Sequence, residues 1–408
     1  MKPLGPIPDG FAAIGGELAV DGLRASELVE RAGRTPCFVY SRAIIAQRIA
    51  GLRAAMPPRL ALHYAVKANP LPELLTAMSG LVDGFDIASG GELAIVEGAG
   101  IDPARLSFAG PGKRDDELRA AIAAGVTLNL ESAREAERAL AAAETLGITP
   151  KLAVRVNPDF DLRGSGMKMG GGAKPFGVDA ARVPALVRTI LSAGAEWRGL
   201  HIFAGSQALD AAAIAETQAQ TLELAAQLAD AVSAALPACN LGGGFGIPYF
   251  PGDTPVDIGH IGRALAERFE SLPQSLENTQ FCIELGRYLV GPAGVYLTRI
   301  VERKESHGQT FLITDGGLHH QLAASGNFGT VVRRNYPVAI ASRFDTAASE
   351  EASVVGCLCT PLDRLADSAL FPRAEESDLV AVFCAGAYGA TASPAAFLGH
   401  GPAAELLI

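Results

Sequence analysis

Eight short apolar runs, each closing on polar or glycine residues, constrain the fold of this chain more than any other feature. They are "LALHYAVKA" (60–68), "GFDIAS" (84–89), "LSFAG" (106–110), "VTLNL" (126–130), "KLAVRVN" (151–157), "GLHIFAG" (199–205), "CNLGGGF" (239–245) and "FCIEL" (281–285). Runs of this length, bounded by turn residues, read as buried strands. Between them lie segments of helical period. The clearest are "DDELRAAIAAG" (115–125) and "SAREAERALAAAETLG" (132–147), both ending in glycine. Strand–helix units repeated over roughly 240 residues match the size of a (β/α)8 TIM barrel. An open doubly wound sheet is the competing architecture, because periodicity does not report closure.

After about residue 290 the pattern changes. "VGPAGVYLTRIVERKES", "QTFLITDGG", "ASVVGCLC" and "DLVAVFCAGAYG" are short and β-rich, with no helices of barrel length between them. They predict a C-terminal β-sandwich or β-barrel-like domain. The expected division is a barrel over 41–290 and a β domain built from 1–40 and 291–408. "MKMGGGAKPFG" (167–177) reads as a mobile glycine-rich loop inside the barrel region.

Composition narrows the partners. The hydrophobic content of 49% supports a large core, and the net charge of −10 argues against nucleic acid and anionic membranes. No apolar run is long enough to span a bilayer, and "MKPLGPIPDGFAAIGG" lacks the apolar core of a signal peptide. Six scattered cysteines make no disulfide framework and fit a reducing cytoplasm. Cys357-Leu358-Cys359 has no second ligand pair at zinc spacing, so spacing identifies no metal site.

Polar residues gather at the C-terminal ends of the predicted strands: Lys67, Asp86, Ser89, Asn129, Arg155, Asn157, Ser206, Gly242, Gly243, Gly244 and Glu284. In a barrel that is the active-site face. Lys67 taken alone reads first as a strand-end lysine reaching solvent and second as a desolvated nucleophilic amine, and its place in this series shifts the reading towards the amine. Consecutive glycines let backbone N–H groups approach a phosphate, and Ser206 adds a hydroxyl. Glu284 and Arg287 read as a surface ion pair, or as an inward carboxylate on a heterocyclic nitrogen beside an anion-binding guanidinium. Cys359 and Tyr388 read as buried packing or as site residues. One cofactor accounts for a lysine, a phosphate cradle and a carboxylate together: pyridoxal 5'-phosphate.

The motifs "HYAVKANP", "FDIASGGEL", "VRVNP", "GSQ", "GGGFG", "ELGRYLV", "GCLCTPLD" and "GAYGA" occur in an order that resembles the fold type III, alanine-racemase-like decarboxylases, which include the diaminopimelate, ornithine and arginine enzymes. Further stretches, among them "HIFAGSQ", "GGGFGIPYFPGD" and "TDGGLHHQLAASGNFG", resemble the decarboxylase-like proteins associated with exosortase A systems. The resemblance implies a Schiff-base lysine at Lys67, with Asp86 and Arg155 bordering the cofactor. It implies Ser206, Gly242, Gly243, Gly244 and Tyr388 on the phosphate, and Glu284 on the pyridine nitrogen. Arg287 then meets phosphate or substrate carboxylate. It also implies a homodimer with shared active sites, in which Cys359 reaches the partner's cofactor.

Two departures bear on chemistry. The family's ring-stacking histidine position is Phe203, with His201 two residues earlier on the same strand face. The residue after the reactive cysteine, acidic in the enzymes that act on diaminopimelate and ornithine, is Thr360. A buried ammonium needs a paired carboxylate, so a substrate without a distal ammonium is expected unless Asp363, or the more remote Asp315, substitutes. Decarboxylation, with Lys67, Glu284 and Cys359 as its principal groups, is the expected activity. A racemase of the same fold and a non-catalytic cofactor-binding protein are the alternatives.

Overall fold

The computed structural model describes residues 1–326 and 334–408, and in it the eight runs form eight parallel strands. They are β1 (Leu60–Ala65), β2 (Gly84–Ile87), β3 (Leu106–Phe108), β4 (Thr127–Leu130), β5 (Lys151–Asn157), β6 (Glu196–Ile202), β7 (Ala238–Gly243) and β8 (Gln280–Leu285). Each pairs with the next, and β8 returns to β1 through Phe281–Leu60 to Leu285–Tyr64. The ring is therefore a closed barrel, which excludes the open sheet and leaves the ring no edge.

The helices Asp115–Ala124 and Ala133–Leu146 stop at Gly125 (φ 79) and Gly147 (φ 66), where a left-handed cap disfavours a side chain. Along the strands the two-residue period separates two surfaces. Leu62, Tyr64, Phe85, Ile87, Phe108, Leu128 and Leu130 are buried apolar residues on one side. The intervening positions His63, Asp86, Ser107 and Asn129 bond to one another from strand to strand. The lumen is thus polar by sequence, which prepares it for chemistry.

The loop expected to be mobile is tied down. Met167–Lys168 pairs antiparallel with Gly205–Ser206, and Gly171 N–H donates to Pro158 O at 3.0 Å. Gly177 N–H donates to Glu131 Oε2 at 3.0 Å, and Asn157 Nδ2 donates to Gly172 O at 3.0 Å. Backbone amides and the Asn157 side-chain amide tie this segment to three strand ends.

The chain divides into two compact units. One comprises Ile49–Gly246 and Pro255–Gly286 and holds the barrel; the other comprises Met1–Arg48, Ile247–Thr254 and Arg287–Ile408. The second unit is β-rich. Its longest strand, Gly294–Ser306, pairs antiparallel with Cys37–Tyr40, Leu379–Phe383 and Gln309–Thr314. Ala404–Leu407 adds in parallel to Cys37–Tyr40, so segments from both ends of the chain share one sheet. Leu18, Val20, Leu28, Val39, Val295, Leu297 and Phe383 form its core. Among the described residues no helix is long and apolar enough to cross a membrane. Residues 327–329 of "TDGGLHHQLAASGNFG" lie outside the described residues.

Candidate active site

Lys67 sits on a single 3-10 turn, Val66–Ala68, immediately after β1. Val66 and Ala68 are buried while Lys67 is exposed. Of the two readings, this exposure fits the lysine that reaches solvent: the backbone is anchored by its neighbours while the side chain is exposed. The Phe203 ring faces it, with Nζ 5.5 Å from the ring centroid. Any special reactivity of this amine comes from what is placed around it rather than from burial.

Glu284 ends the inward series on β8 and is 7% exposed. His201 Nε2 lies 3.1 Å from its Oε2, and Asn240 Nδ2 donates to the same oxygen at 3.1 Å. Asn240 Oδ1 in turn accepts Gly242 N–H at 2.9 Å, so one side chain links the carboxylate to the glycine loop. Burial pushes the Glu284 carboxyl up, but His201, assisted by Lys67 and Arg155, outweighs it and lowers the pKa to about 2. The group is an ionised, hydrogen-bonded carboxylate able to accept one more N–H. His201 and Phe203 divide the work of their strand: the histidine meets Glu284 and the phenyl ring meets Lys67.

Asp86 is engaged inside the lumen. Ser107 Oγ donates to its Oδ1, Asn129 Nδ2 donates to Ser107 Oγ at 2.9 Å, and His63 Nδ1 lies 3.5 Å from Oδ2. Burial opposes the charged imidazole of His63, yet the Asp86 charge prevails and raises its pKa. Arg155 Nη1 donates to Glu131 Oε1 at 2.8 Å. Glu131 also accepts Gly110 N–H at 2.6 Å and Gly177 N–H at 3.0 Å, so a buried carboxylate anchors Arg155 and two loops at once.

Gly242, Gly243 and Gly244 follow as a cradle. A Cβ there would lie 2.6 Å from Ile202 O, 1.8 Å from Glu284 O and 2.1 Å from Gly205 O respectively. Gly242 (φ 74) and Gly244 (φ 81) also adopt the left-handed region. Only glycine fits against β8 and the 202–205 segment. The same approach of Gly244 to Gly205 brings Ser206 beside the loop.

In the β-rich unit Arg287 Nη1 donates to Tyr249 Oη at 2.8 Å, and its guanidinium carbon lies 4.7 Å from the Tyr388 ring centroid. Burial acts against the Arg287 charge, but the adjoining tyrosines raise its pKa. Tyr388 occupies the left-handed region at φ 62. Cys359 is exposed on the turn 357–362, next to half-buried Thr360. Asp363 is corrected as a substrate-binding candidate. It is 2% exposed, its Oδ1 accepts Leu318 N–H at 2.6 Å and its Oδ2 accepts Leu358 N–H at 2.9 Å. Asp315 is similarly committed, accepting Thr298 Oγ1 at 2.7 Å and Arg299 N–H at 2.9 Å.

Sequence reading did not single out Asn240, Glu131 or Tyr249. The first two stand at strand-end positions of the inward series, and that alternation was the available signal. Nothing local marks Tyr249 as the partner of Arg287.

The family described as "Pyridoxal-dependent decarboxylase, pyridoxal binding domain" matches residues 42–291. An L-glutamyl-[BtrI acyl-carrier protein] decarboxylase from Niallia circulans is 35% identical over 91% of this chain and 88% of its own. A diaminopimelate decarboxylase from Aquifex aeolicus is 32% identical over 92% of this chain and 86% of its own. The crystal structure of a diaminopimelate decarboxylase variant from Helicobacter pylori, complexed with L-lysine, superposes with a TM-score of 0.82 at 26% identity, covering 94% of each chain.

Proposed function

This chain belongs to the pyridoxal-dependent decarboxylase family and is an amino-acid decarboxylase, and from that premise we propose that its substrate carries no distal ammonium group. One observation carries the reading. The turn after Cys359 offers the hydroxyl of Thr360, and its one carboxylate, Asp363, is consumed by backbone amides. A desolvated ammonium there would go without a counter-charge, at a cost of several kcal/mol. The Niallia circulans relative is named for a carrier-bound glutamyl substrate. That supports an acidic or carrier-linked amino acid here.

The residues suit pyridoxal 5'-phosphate as the cofactor. Lys67 is the amine for its aldehyde, Glu284 the acceptor for its ring N–H, and Phe203 a flat face beside them. Ser206 and the amides of Gly242, Gly243 and Gly244 are the phosphate donors, and Asp86 and Arg155 border the group. When bound, the cofactor supplies an electron sink for the bonding pair left as carbon dioxide departs. Ionised Glu284 keeps that ring nitrogen protonated, and His201 and Asn240 hold the carboxylate in its orientation. From the β-rich unit, Tyr388 is proposed as a phosphate ligand and Arg287 as the anion-binding group. Cys359, contributed in a homodimer, is proposed as the donor that returns a proton to Cα. Six unbridged cysteines fit a cytoplasmic setting.

The test is CO2 release across lysine, ornithine, arginine, diaminopimelate, glutamate and a carrier-linked glutamyl group. Release from the glutamate-derived compounds with none from the dibasic ones is expected. Strong turnover of a dibasic amino acid would overturn the substrate assignment. Separately, borohydride reduction and peptide mapping should find the cofactor on Lys67, and Lys67→Ala should lose it.

A further inference from the structure

The motif "TDGGLHHQ" plays no part in the chemistry above, yet it places two adjacent histidines in very different surroundings. His320 is fully used: Nδ1 lies 3.0 Å from Tyr296 Oη and Nε2 lies 3.0 Å from Gly401 O. His319, whose ring centroid is 3.9 Å from that of His320, is 0% exposed, and neither ring nitrogen has a partner among the described residues. A buried imidazole left unpaired is costly and calls for an explanation.

Its neighbours supply one. Cys357 and His400, distant in sequence, converge on it, and the three donor atoms lie within 4.8 Å of one another. Cys357 Sγ is 4.0 Å from His400 Nε2, and the His319 and His400 ring centroids are 4.8 Å apart. We propose that His319, Cys357 and His400 form a Zn2+ site in the β-rich unit. Two imidazoles and a thiol suit zinc and exclude the hard cations calcium and magnesium. A tetrahedral ion with bonds of about 2.0–2.3 Å draws its donors to roughly 3.4–3.8 Å apart. Cys357 and His400 are already close to that spacing, so the remaining convergence of up to about 1 Å is between them and His319, and His400, exposed in the segment before Ala404–Leu407, can supply its share. Zinc binding releases the Cys357 thiol proton to solvent as the metal–sulfur bond forms. Three protein ligands leave the fourth position to water. The Cys357 thiol donates to Asp315 O at 3.6 Å, a weak bond given up when the thiol proton leaves.

The site braces three separate segments: 315–321, 357–363 and the stretch around His400. Because Cys357 is two residues from Cys359, the ion also fixes the turn that carries Cys359 and Thr360. This inference is independent of the substrate assignment.

The experiment titrates chelator-washed holoenzyme with Zn2+ against a chromophoric competitor, and repeats the titration with Co2+ as an optical probe. One Zn2+ per chain and a thiolate-to-cobalt charge-transfer band are expected. Cys357→Ser should abolish the band. His400→Ala, at an exposed position, should weaken Zn2+ by more than the roughly 10–100-fold that loss of an outer partner costs. Cys359→Ser should leave both signals intact. Less than one competitive equivalent, a band surviving Cys357→Ser, or unchanged affinity in His400→Ala would overturn the proposal.

Discussion

The barrel brings together two histidine–carboxylate pairs on adjoining strands, and the shifted member is the carboxyl in one and the imidazole in the other. Glu284 and His63 face each other in the β8–β1 register, each with its own partner, His201 and Asp86. Burial opposes ionisation in both. Around Glu284 the other charges are cationic, Lys67 and Arg155, and the carboxyl is held well below its usual range. Around His63 the other charges are anionic, Asp86 first, then Glu284 and Asp83, and the imidazole is pushed up. In both, the charged form of the shifted member is favoured, an anion at Glu284 and a cation at His63. In each case the contacting partner is the largest favourable influence, and the wider field adds to it.

The largest break in this comparison comes from Glu284→Gln. It removes the committed anion while keeping shape. CO2 release should fall on the order of 10²–10³-fold, the scale of losing one preorganised electrostatic group. Because Glu284 also raises His63, the His63 titration followed by NMR should move down in the same variant. An intact fold with wild-type turnover would remove Glu284 from the site.

Next is Asp86→Asn, read through stability against pH. His63 is raised in the folded state, so its stabilisation is fully present below its unfolded pKa of about 6.5 and is lost as pH rises through the folded value above that. Wild type should exceed Asp86→Asn by roughly 1.5–3 kcal/mol near pH 6, the scale of a charged hydrogen bond, and the gap should narrow as pH rises through the raised folded pKa of His63. Urea denaturation at about pH 6 and at a series of higher pH values measures it. The Glu284 pair shows the mirror image. Its folded pKa is depressed, so its contribution holds above an unfolded value of about 4.3 and fades as pH falls towards about 2. In His201→Gln that acid-side loss should shrink, leaving a flatter profile between about pH 5 and pH 3. An unchanged acid limb would mean that His201 does not hold the carboxylate.

How far these pairs were readable from sequence differs by residue. The ring was legible because a parallel barrel needs eight continuous apolar runs, and the inward series was legible because side chains alternate. Glu284 and Arg155 could be placed at strand ends on that basis alone. Their partners could not, since Glu131 reaches Arg155 from a neighbouring strand's end and Asn240 links Glu284 to a glycine amide across another. The exposure of Lys67 fits the solvent-reaching reading that its own stretch favours, although burial of the flanking Val66 and Ala68 says nothing about a side chain leaving the turn between them. Asp363 looked available in sequence because local spacing does not reveal which amides a carboxylate will find. The grouping of His319, Cys357 and His400 was invisible for a related reason: spacing rules detect ligand pairs close in sequence, whereas here three turns must be assembled first.

The smallest effect sharpens the comparison by touching neither pair. Phe203 presents its ring to Lys67 with Nζ 5.5 Å from the centroid, and Lys67 is exposed. A cation–π contact at an exposed amine contributes about 0.5–1 kcal/mol. Phe203→Leu keeps apolar bulk and removes the π face, so kcat/KM should fall by roughly two- to fivefold. The pH dependence should stay where wild type has it, because His201, Glu284, Asp86 and His63 keep their partners. A loss of 100-fold or more, or a displaced pH profile, would show that the ring position governs the charge of the neighbouring groups. Phe203 would then belong with the electrostatic machinery rather than beside it.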